Sequence, residues 1–160
     1  MPSRKMKTSD LKKLLYSTFG DLRDDQLLGL VDYGESRGEP REGQIAVGTV
    51  ILERVDHRDW DGKTIKEVCL LPYQFSCLLP DDPNFKQLAL IASGFEAALM
   101  KSSVLTGCHE IAKGLLDGTI PRNPLLAEHH CMQYKVVGCK AAWADKMRLI
   151  LIIGHHEFYV

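Results

Sequence analysis

The sequence has no long apolar run, no surplus of basic charge and no paired-cysteine motif. A membrane-spanning helix needs about 20 predominantly apolar residues, and no stretch approaches that length. The formal net charge is -1, whereas nucleic-acid-binding domains usually carry a marked basic excess. We therefore expect neither a membrane span nor a nucleic-acid partner.

The 5 cysteines are an odd number, and none forms a C-x-x-C pair. Metal-type ligands do occur together in Cys108-His109 and in His129-His130-Cys131. The spacing that usually accompanies zinc is missing from both groups. The sequence thus predicts free, mostly buried thiols, no metal site and no cofactor.

No internal repeat and no linker rich in glycine, proline or serine divides the chain. Apolar residues make up 45% and charged residues 26% of the 160 residues, which is typical of a folded domain able to bury a core. We predict a single domain over residues 1–160. Residues 1–20 form a basic, solvated arm or helix without a convincing signal-peptide cleavage site, and 21–160 form the core. The basic residues are Arg4, Lys5, Lys7, Lys12 and Lys13.

Apolar residues recur at helical spacing through the first half of the chain. They predict a helix over 24–36, which Asp24 or Asp25 could cap. Residues 43–55 are rich in β-branched side chains, as in a strand, but so long an unbroken segment favours a buried helix. Residues 64–67 fit a capping box that starts a short helix.

Two further helices are predicted before the last third of the chain. Asn84 could cap the first, whose apolar stripe continues from Leu88 to Leu99. The second includes Cys108 and Leu115 and is ended by Gly118 and Pro121; the stripes of both helices are expected to be core.

The last third changes character. Residues 124–137 show no helical period, and 141–148 predict a short helix that carries Trp143. The β-branched run 150–153 is separated by Gly154-His155 from 156–160. The fold class is therefore α+β and mainly α, with a small antiparallel β element toward the C-terminus.

Glu35 is the strongest candidate for chemistry, because it ends the first predicted helix just before the break at Gly38 and Pro40. Breaking a glycosidic bond requires a proton on the leaving oxygen, which a carboxylic acid pointing into a groove can supply. By itself, a glutamate at a helix end is more often an ordinary exposed residue. Possible second carboxylates lie close in sequence: Asp32, Glu39 and Glu42.

The motifs around Glu35 form an ordered series. The chain reads YGESRGEP from Tyr33, then GQIAV, LERV, TIKEV, QFSC and finally IGHHEFY from Ile153. This series resembles the SleB/CwlJ-type cell-wall hydrolases, the spore-cortex-lytic family, whose pattern is close to YGEARGEP, GQ-x-AV, LNRV, TI-x-x-V, QFS and IG-x-H-x-FY. The resemblance runs from about residue 25 to residue 160.

The resemblance implies a lysozyme-like, mostly helical domain that cleaves the MurNAc-GlcNAc β-1,4 bond of peptidoglycan as a lytic transglycosylase. Glu35 matches the family's catalytic glutamate. A single carboxylate suffices because the muramoyl 6-hydroxyl of the substrate is itself the attacking group. Two alternatives stay open: a hydrolysing muramidase, which needs a second carboxylate or a positioned water, and a peptidoglycan-binding module without catalysis.

Other residues are predicted to contact the glycan from their places in the same motifs. Gln74, Phe75 and Ser76 would line the groove, with the ring packing against a sugar face. Tyr33 is either the edge of the core or a wall of the site. Ser36 replaces the family's commoner alanine and would help to position the acid.

His129 matches the histidine of the family's A-T-H-Y-H-A segment, which reads AEHHCM here, and it is predicted to line the groove. Trp143 and Tyr159 also match, but both are interpreted as core residues. Many family members carry a signal peptide and a separate peptidoglycan-binding domain, and neither is recognised here. We expect synthesis in the cytoplasm and action on the wall after release, as a phage endolysin or virion lysin, or else a spore-associated enzyme.

Overall fold

A computed structural model describes residues 5–58 and 62–160, so Arg4 of the predicted basic arm lies outside the described residues. No helix among them combines the length and apolar character that crossing a bilayer requires. The α-helices of these residues are α1 (Thr8–Phe19), α2 (Asp24–Ser36), α3 (Arg41–His57), α4 (Ile65–Cys69), α5 (Phe85–Ser93), α6 (Phe95–Lys101), α7 (Ser103–Asp117) and α8 (Pro124–Glu128). The strands are β1 (Gln133–Val136), β2 (Leu149–Ile153) and β3 (His156–Tyr159), and 3₁₀ helices span Ser76–Leu78 and Ala142–Lys146.

The N-terminal segment is a helix, but it is not solvated throughout as predicted. Leu11, Leu15 and Phe19 of α1 are buried, because residues four apart share one face of a helix. Lys12 and Lys13 lie on the exposed side. The charged residues occupy the solvent-exposed face of α1, whereas the apolar residues, spaced four apart, place the other face in the core.

The helices predicted on either side of Gly38 are confirmed as α2 and α3. The start of α2 differs from the prediction, because Arg23 is the N-cap residue and its backbone N–H donates to Gln26 Oε1 at 3.0 Å. Asp24 and Asp25 instead occupy the first turn, where negative charge is favoured by the helix dipole.

The cap of α4 is confirmed, since Thr64 Oγ1 accepts from the Glu67 N–H at 3.1 Å. The prediction of one long helix through Leu88 is wrong in detail, because this segment is divided into α5 and α6 at Gly94. Asn84 precedes α5 without capping it through its side chain; its Oδ1 accepts instead from Arg37.

The core forms where α2 packs against α3, α4 and α7. The α2–α7 contact is close, since a Cβ added to Gly29 would lie 3.0 Å from the Cα of His109. The predicted end of α7 is confirmed at Gly118, whose φ of 82° is readily adopted by glycine. This packing fixes α2, and with it the position of Glu35.

The C-terminal part contains the predicted antiparallel sheet, in the order β1-β3-β2. Gln133 pairs with Tyr159 and Val136 with His156 in the β1–β3 register. The short helix predicted over 141–148 is the 3₁₀ helix Ala142–Lys146. The prediction missed α8, which has 5 residues and is too short for a helical period to show.

Candidate active site

Glu35 lies in the last turn of α2, half-buried at the wall of an open groove of about 500 Å³. One wall is the segment that follows α4, including Gln74, Phe75 and Ser76, and the opposite wall is formed by β1 and the 3₁₀ helix that carries Trp143. The groove therefore lies between the helical part of the molecule and its sheet.

Tyr134 of β1 reaches across this groove to the candidate acid. Its hydroxyl donates to Glu35 Oε2 over 2.8 Å, so the sheet fixes one carboxylate oxygen. Burial raises the pKa of Tyr134 well above its ordinary value, and the Glu35 carboxylate adds to this effect. Tyr134 is accordingly a hydrogen-bond donor at neutral pH rather than a phenolate.

Cys77 packs behind Glu35, in the 3₁₀ helix Ser76–Leu78. A Cβ added to Gly34 would lie 2.8 Å from Cys77 Sγ and 3.0 Å from Leu88 Cδ1, so α2 and this 3₁₀ helix touch at the residue before the acid. Burial, together with the charge of Glu35, raises the pKa of the Cys77 thiol. The thiol thus stays uncharged and contributes packing behind Glu35.

Asp32 lies one turn before Glu35 but is 1% exposed. The Ser36 hydroxyl donates to its carboxylate and to its backbone carbonyl. Burial raises the pKa of Asp32 well above its usual range; the Ser36 hydrogen bond opposes this, and the Glu35 charge adds to it. Asp32 therefore has no access to the groove, and Ser36 points toward Asp32 rather than toward the substrate side.

Glu39 joins two motifs that are far apart in sequence. Its Oε2 accepts from the His155 backbone N–H at 3.0 Å, at the turn between β2 and β3. Gln44 of the GQ motif donates to the backbone carbonyls of Ser36 and Glu39. These contacts fix the α2–α3 connection against the sheet, which is a structural role for Glu39.

Among the described residues 5–58 and 62–160, no second carboxylate lines the groove with Glu35. Asp32 is buried, Glu39 is engaged with the β2–β3 turn, and Glu42 is exposed at the start of α3. Among the groove-lining residues of the described chain, Glu35 is the only acid. The three possible partners predicted from the sequence are thus not among the residues that line the Glu35 groove.

Two buried basic residues of the groove, Arg54 and His156, were not predicted from the sequence. Arg54 is 3% exposed; its Nε donates to the Met132 carbonyl at 2.9 Å, and its guanidinium lies 5.4 Å from the Phe75 ring centre. His156 is also buried and stacks edge-on against Tyr134 with 5.1 Å between ring centres. A charged residue within the apolar LERV helix was the available signal for Arg54.

Burial lowers the pKa of His156, although the carboxylates of Glu39 and Glu35 act in the opposite direction. The ring is therefore neutral at pH 7. Within the described chain, Arg54 Nη1 and His156 Nδ1 are buried side-chain atoms without a hydrogen-bond partner. Both residues belong to the groove lining, but these two atoms are themselves buried.

The predicted glycan-contacting residues divide into two sets. Gln74, Phe75 and Ser76 line the groove with Glu35, whereas Tyr33, Ser36 and His129 are not among its lining residues. Tyr33 is 7% exposed and its hydroxyl accepts from Gln87, which makes it an edge of the core. His129 is exposed at the end of α8.

Trp143 was predicted to be a core residue, and this prediction is wrong. Trp143 is half-buried and lines the groove, where its ring packs edge-on against Tyr159 with 5.4 Å between ring centres. Tyr159 is buried, in agreement with its interpretation as core. An aromatic ring beside an acid suits a sugar-binding groove, because a ring can cover an apolar sugar face.

Comparison with known proteins gives a family match. A family model described as Cell Wall Hydrolase matches residues 38–159; this match begins three residues after Glu35. No curated protein sequence matches the chain.

Two solved structures are similar to the fold. The catalytic domain of the germination-specific lytic transglycosylase SleB from Bacillus anthracis is 25% identical, with a TM-score of 0.56, over 86% of this chain and 93% of that one. The catalytic domain of the Bacillus cereus SleB protein is 25% identical, with a TM-score of 0.53, over 86% of this chain and 89% of that one.

Proposed function

The chain belongs to the cell wall hydrolase family, and we propose that it cleaves the MurNAc-GlcNAc β-1,4 bond of peptidoglycan as a lytic transglycosylase with Glu35 as its one catalytic carboxylate. The observation that carries this proposal is the groove itself. Glu35 is the only acid among its described lining residues, and a tyrosine hydroxyl fixes one of its oxygens at 2.8 Å.

A single acid is enough when the substrate supplies the nucleophile. Glu35, in its protonated form, gives its proton to the glycosidic oxygen as the bond from that oxygen to C1 of MurNAc breaks. The resulting carboxylate then takes the proton from the muramoyl 6-hydroxyl, whose oxygen bonds to C1. The product is a 1,6-anhydromuramoyl end, and Glu35 regains its proton without water being consumed.

The other groove residues take supporting roles in this proposal. Tyr134 orients the Glu35 carboxylate, while Arg54 and His156, both buried, form part of the groove lining. Gln74 and Ser76 supply polar contacts and Trp143 supplies apolar surface, whereas the Phe75 ring, predicted to pack against a sugar face, is 4% exposed and belongs to the core. The Ser36 hydroxyl, predicted to position the acid, donates to Asp32 on the buried side of α2.

Analysis of the products separates this mechanism from that of a hydrolysing muramidase. Purified protein is incubated with sacculi, and the soluble muropeptides are examined by mass spectrometry. We expect 1,6-anhydromuramoyl ends, which lack one water relative to hydrolysed ends. Reducing muramic acid ends without any anhydro product would replace the transglycosylase mechanism by hydrolysis.

The similar structure that is named as germination-specific favours spore cortex as the substrate. The phage or virion lysin predicted as an alternative would act on vegetative peptidoglycan. Parallel digestion of cortex and vegetative sacculi distinguishes these substrates. We expect faster release of muropeptides from cortex; equal or faster release from vegetative sacculi would favour the lysin.

A further inference from the structure

A second cluster of ionisable side chains lies at the C-terminal end of α3, outside the groove. Glu53, His57 and His130 each present one ligand atom, and these atoms all lie within 4.8 Å of one another. Among the described residues this is the one group of three or more histidine, cysteine or acidic side chains so arranged. None of the three lines the Glu35 groove.

Glu53 is the fixed centre of this cluster. Its side chain is 3% exposed; Oε1 accepts from Arg122 Nη1 at 2.9 Å, while Oε2 faces the two histidines. Oε2 lies 3.4 Å from His57 Nε2 and 3.0 Å from His130 Nδ1. Arg122 therefore orients the carboxylate from behind, as outer-shell partners orient metal ligands.

The two histidines come from separate parts of the chain. Glu53 and His57 are one helical turn apart on α3 and so share a face. His130 follows α8, and its φ of 49° is unusual for a residue other than glycine. The centres of the two rings are 4.0 Å apart. Both rings lie beside Glu53 Oε2.

We propose that Glu53 Oε2, His57 Nε2 and His130 Nδ1 form a binding site for a zinc-type divalent transition metal. Two imidazoles and one carboxylate are ligands for such ions, whereas calcium and magnesium take oxygen ligands. His57 and His130 are exposed, so solvent can complete the coordination. The bound ion joins the end of α3 to the connection that leads into β1.

Sequence motifs set this cluster apart from the family's pattern. Glu53 stands where the family has asparagine in LNRV, and His130 stands where it has tyrosine in A-T-H-Y-H-A. Each of these two differences supplies one ligand atom of the cluster, Glu53 Oε2 or His130 Nδ1, and these atoms lie 3.0 Å apart. The sequence predicted no metal site, because His130 is 77 positions away from Glu53 in the chain and only the fold brings it to Glu53 and His57.

Zinc titration of the full chain, after treatment with a chelator, tests the site independently of any glycan cleavage. We expect one zinc ion per chain and a higher midpoint of thermal unfolding with zinc, because a ligand bound to the folded state stabilises it. H57Q and H130Q should each weaken binding at least tenfold and remove the zinc-dependent shift. H129Q, the adjacent exposed histidine, should bind zinc as the unmodified chain does.

Three results would overturn the site. The first is the absence of one-to-one zinc binding, which would leave the histidines as ion-pair partners of Glu53. The second is unchanged binding in both H57Q and H130Q. C139S removes the exposed thiol, an alternative zinc ligand; retained binding in C139S supports the site, and its loss there contradicts it. Circular dichroism without zinc checks that each variant is folded.

Discussion

The helical part and the C-terminal sheet meet at Glu35, and they contribute differently to the groove. Glu35 belongs to α2, whose packing against α3, α4 and α7 buries most of the helix. The sheet has three strands and leaves apolar side chains such as Ile152 exposed. It supplies Tyr134 and His156 to the groove.

The two parts therefore act on different parts of Glu35, the helices on its backbone and the sheet on its carboxylate. The helices fix the backbone of Glu35 through a large core, so that changes in the sheet leave the acid in place. The sheet supplies the hydroxyl that orients the carboxylate. We therefore expect helical changes at the site to abolish activity or reduce stability, and sheet changes to reduce the rate, with only a small pH-dependent effect on stability.

Replacement of the acid gives the largest effect. Glu35→Gln keeps the size of the side chain but cannot donate the proton, and we expect sacculus clearing to fall by about 10²–10⁴-fold. Thermal unfolding and sacculus binding should be unchanged. The exposed Glu42→Gln is the matched control and should clear sacculi normally. Equal clearing by E35Q would remove Glu35 from the mechanism, and absence of cleavage by the unmodified protein would favour the binding module.

Removal of the tyrosine hydroxyl tests the contribution of the sheet. Tyr134→Phe deletes the donor to Glu35, and we expect kcat to fall about tenfold, the value of one hydrogen bond to a charged group. Tyr159→Phe is the control, since its hydroxyl donates to Glu157 instead. Should Y134F lose as much activity as E35Q, the sheet would do more than orient the acid.

Overpacking behind the acid tests the helical part. Gly34→Ala would bring a Cβ to 2.8 Å from Cys77 Sγ, and we expect the free energy of unfolding to fall by about 1–3 kcal/mol. Gly107→Ala is the control in α7, where an added Cβ meets nothing within 4 Å; it should be neutral or stabilising by about 0.5–1 kcal/mol. Chemical denaturation measures both. A stable G34A protein would show that the contact between α2 and the 3₁₀ helix gives way easily.

The smallest expected effect is a pH dependence of stability from His156. Because burial lowers its pKa in the folded protein, the unfolded chain binds a proton first as the pH falls below about 6.5. The contribution of His156 is therefore fully present above that pH and is lost as the pH falls through the lowered folded pKa. His156→Gln should show a weaker loss of unfolding free energy between pH 7.5 and 5.5, settings chosen to bracket about 6.5. An identical pH profile in H156Q would show that the ring does not contribute.

The predictions from sequence succeeded where one element carried a long periodic pattern. The apolar spacing of α2 and α3 predicted both helices, and Thr64 predicted the cap of α4, because these signals are local. The break at Gly94 was missed, since the apolar stripe continues through it. Residues that meet across the fold, such as Tyr134 and Glu35, gave no sequence signal, because 99 positions separate them.

The sequence by itself determined the family, the mainly helical class and the candidate acid, because ordered motifs and helical periodicity are properties of the linear chain. Only the tertiary structure decided which groups surround that acid. It placed Tyr134, Arg54 and His156 in the groove lining, placed Asp32 and Ser36 on the buried face of α2, and assembled Glu53, His57 and His130. The physical reason is that burial and hydrogen bonding depend on distances in space, which are set by the packing of α2 against its neighbouring helices and by the contact of Tyr134 with Glu35.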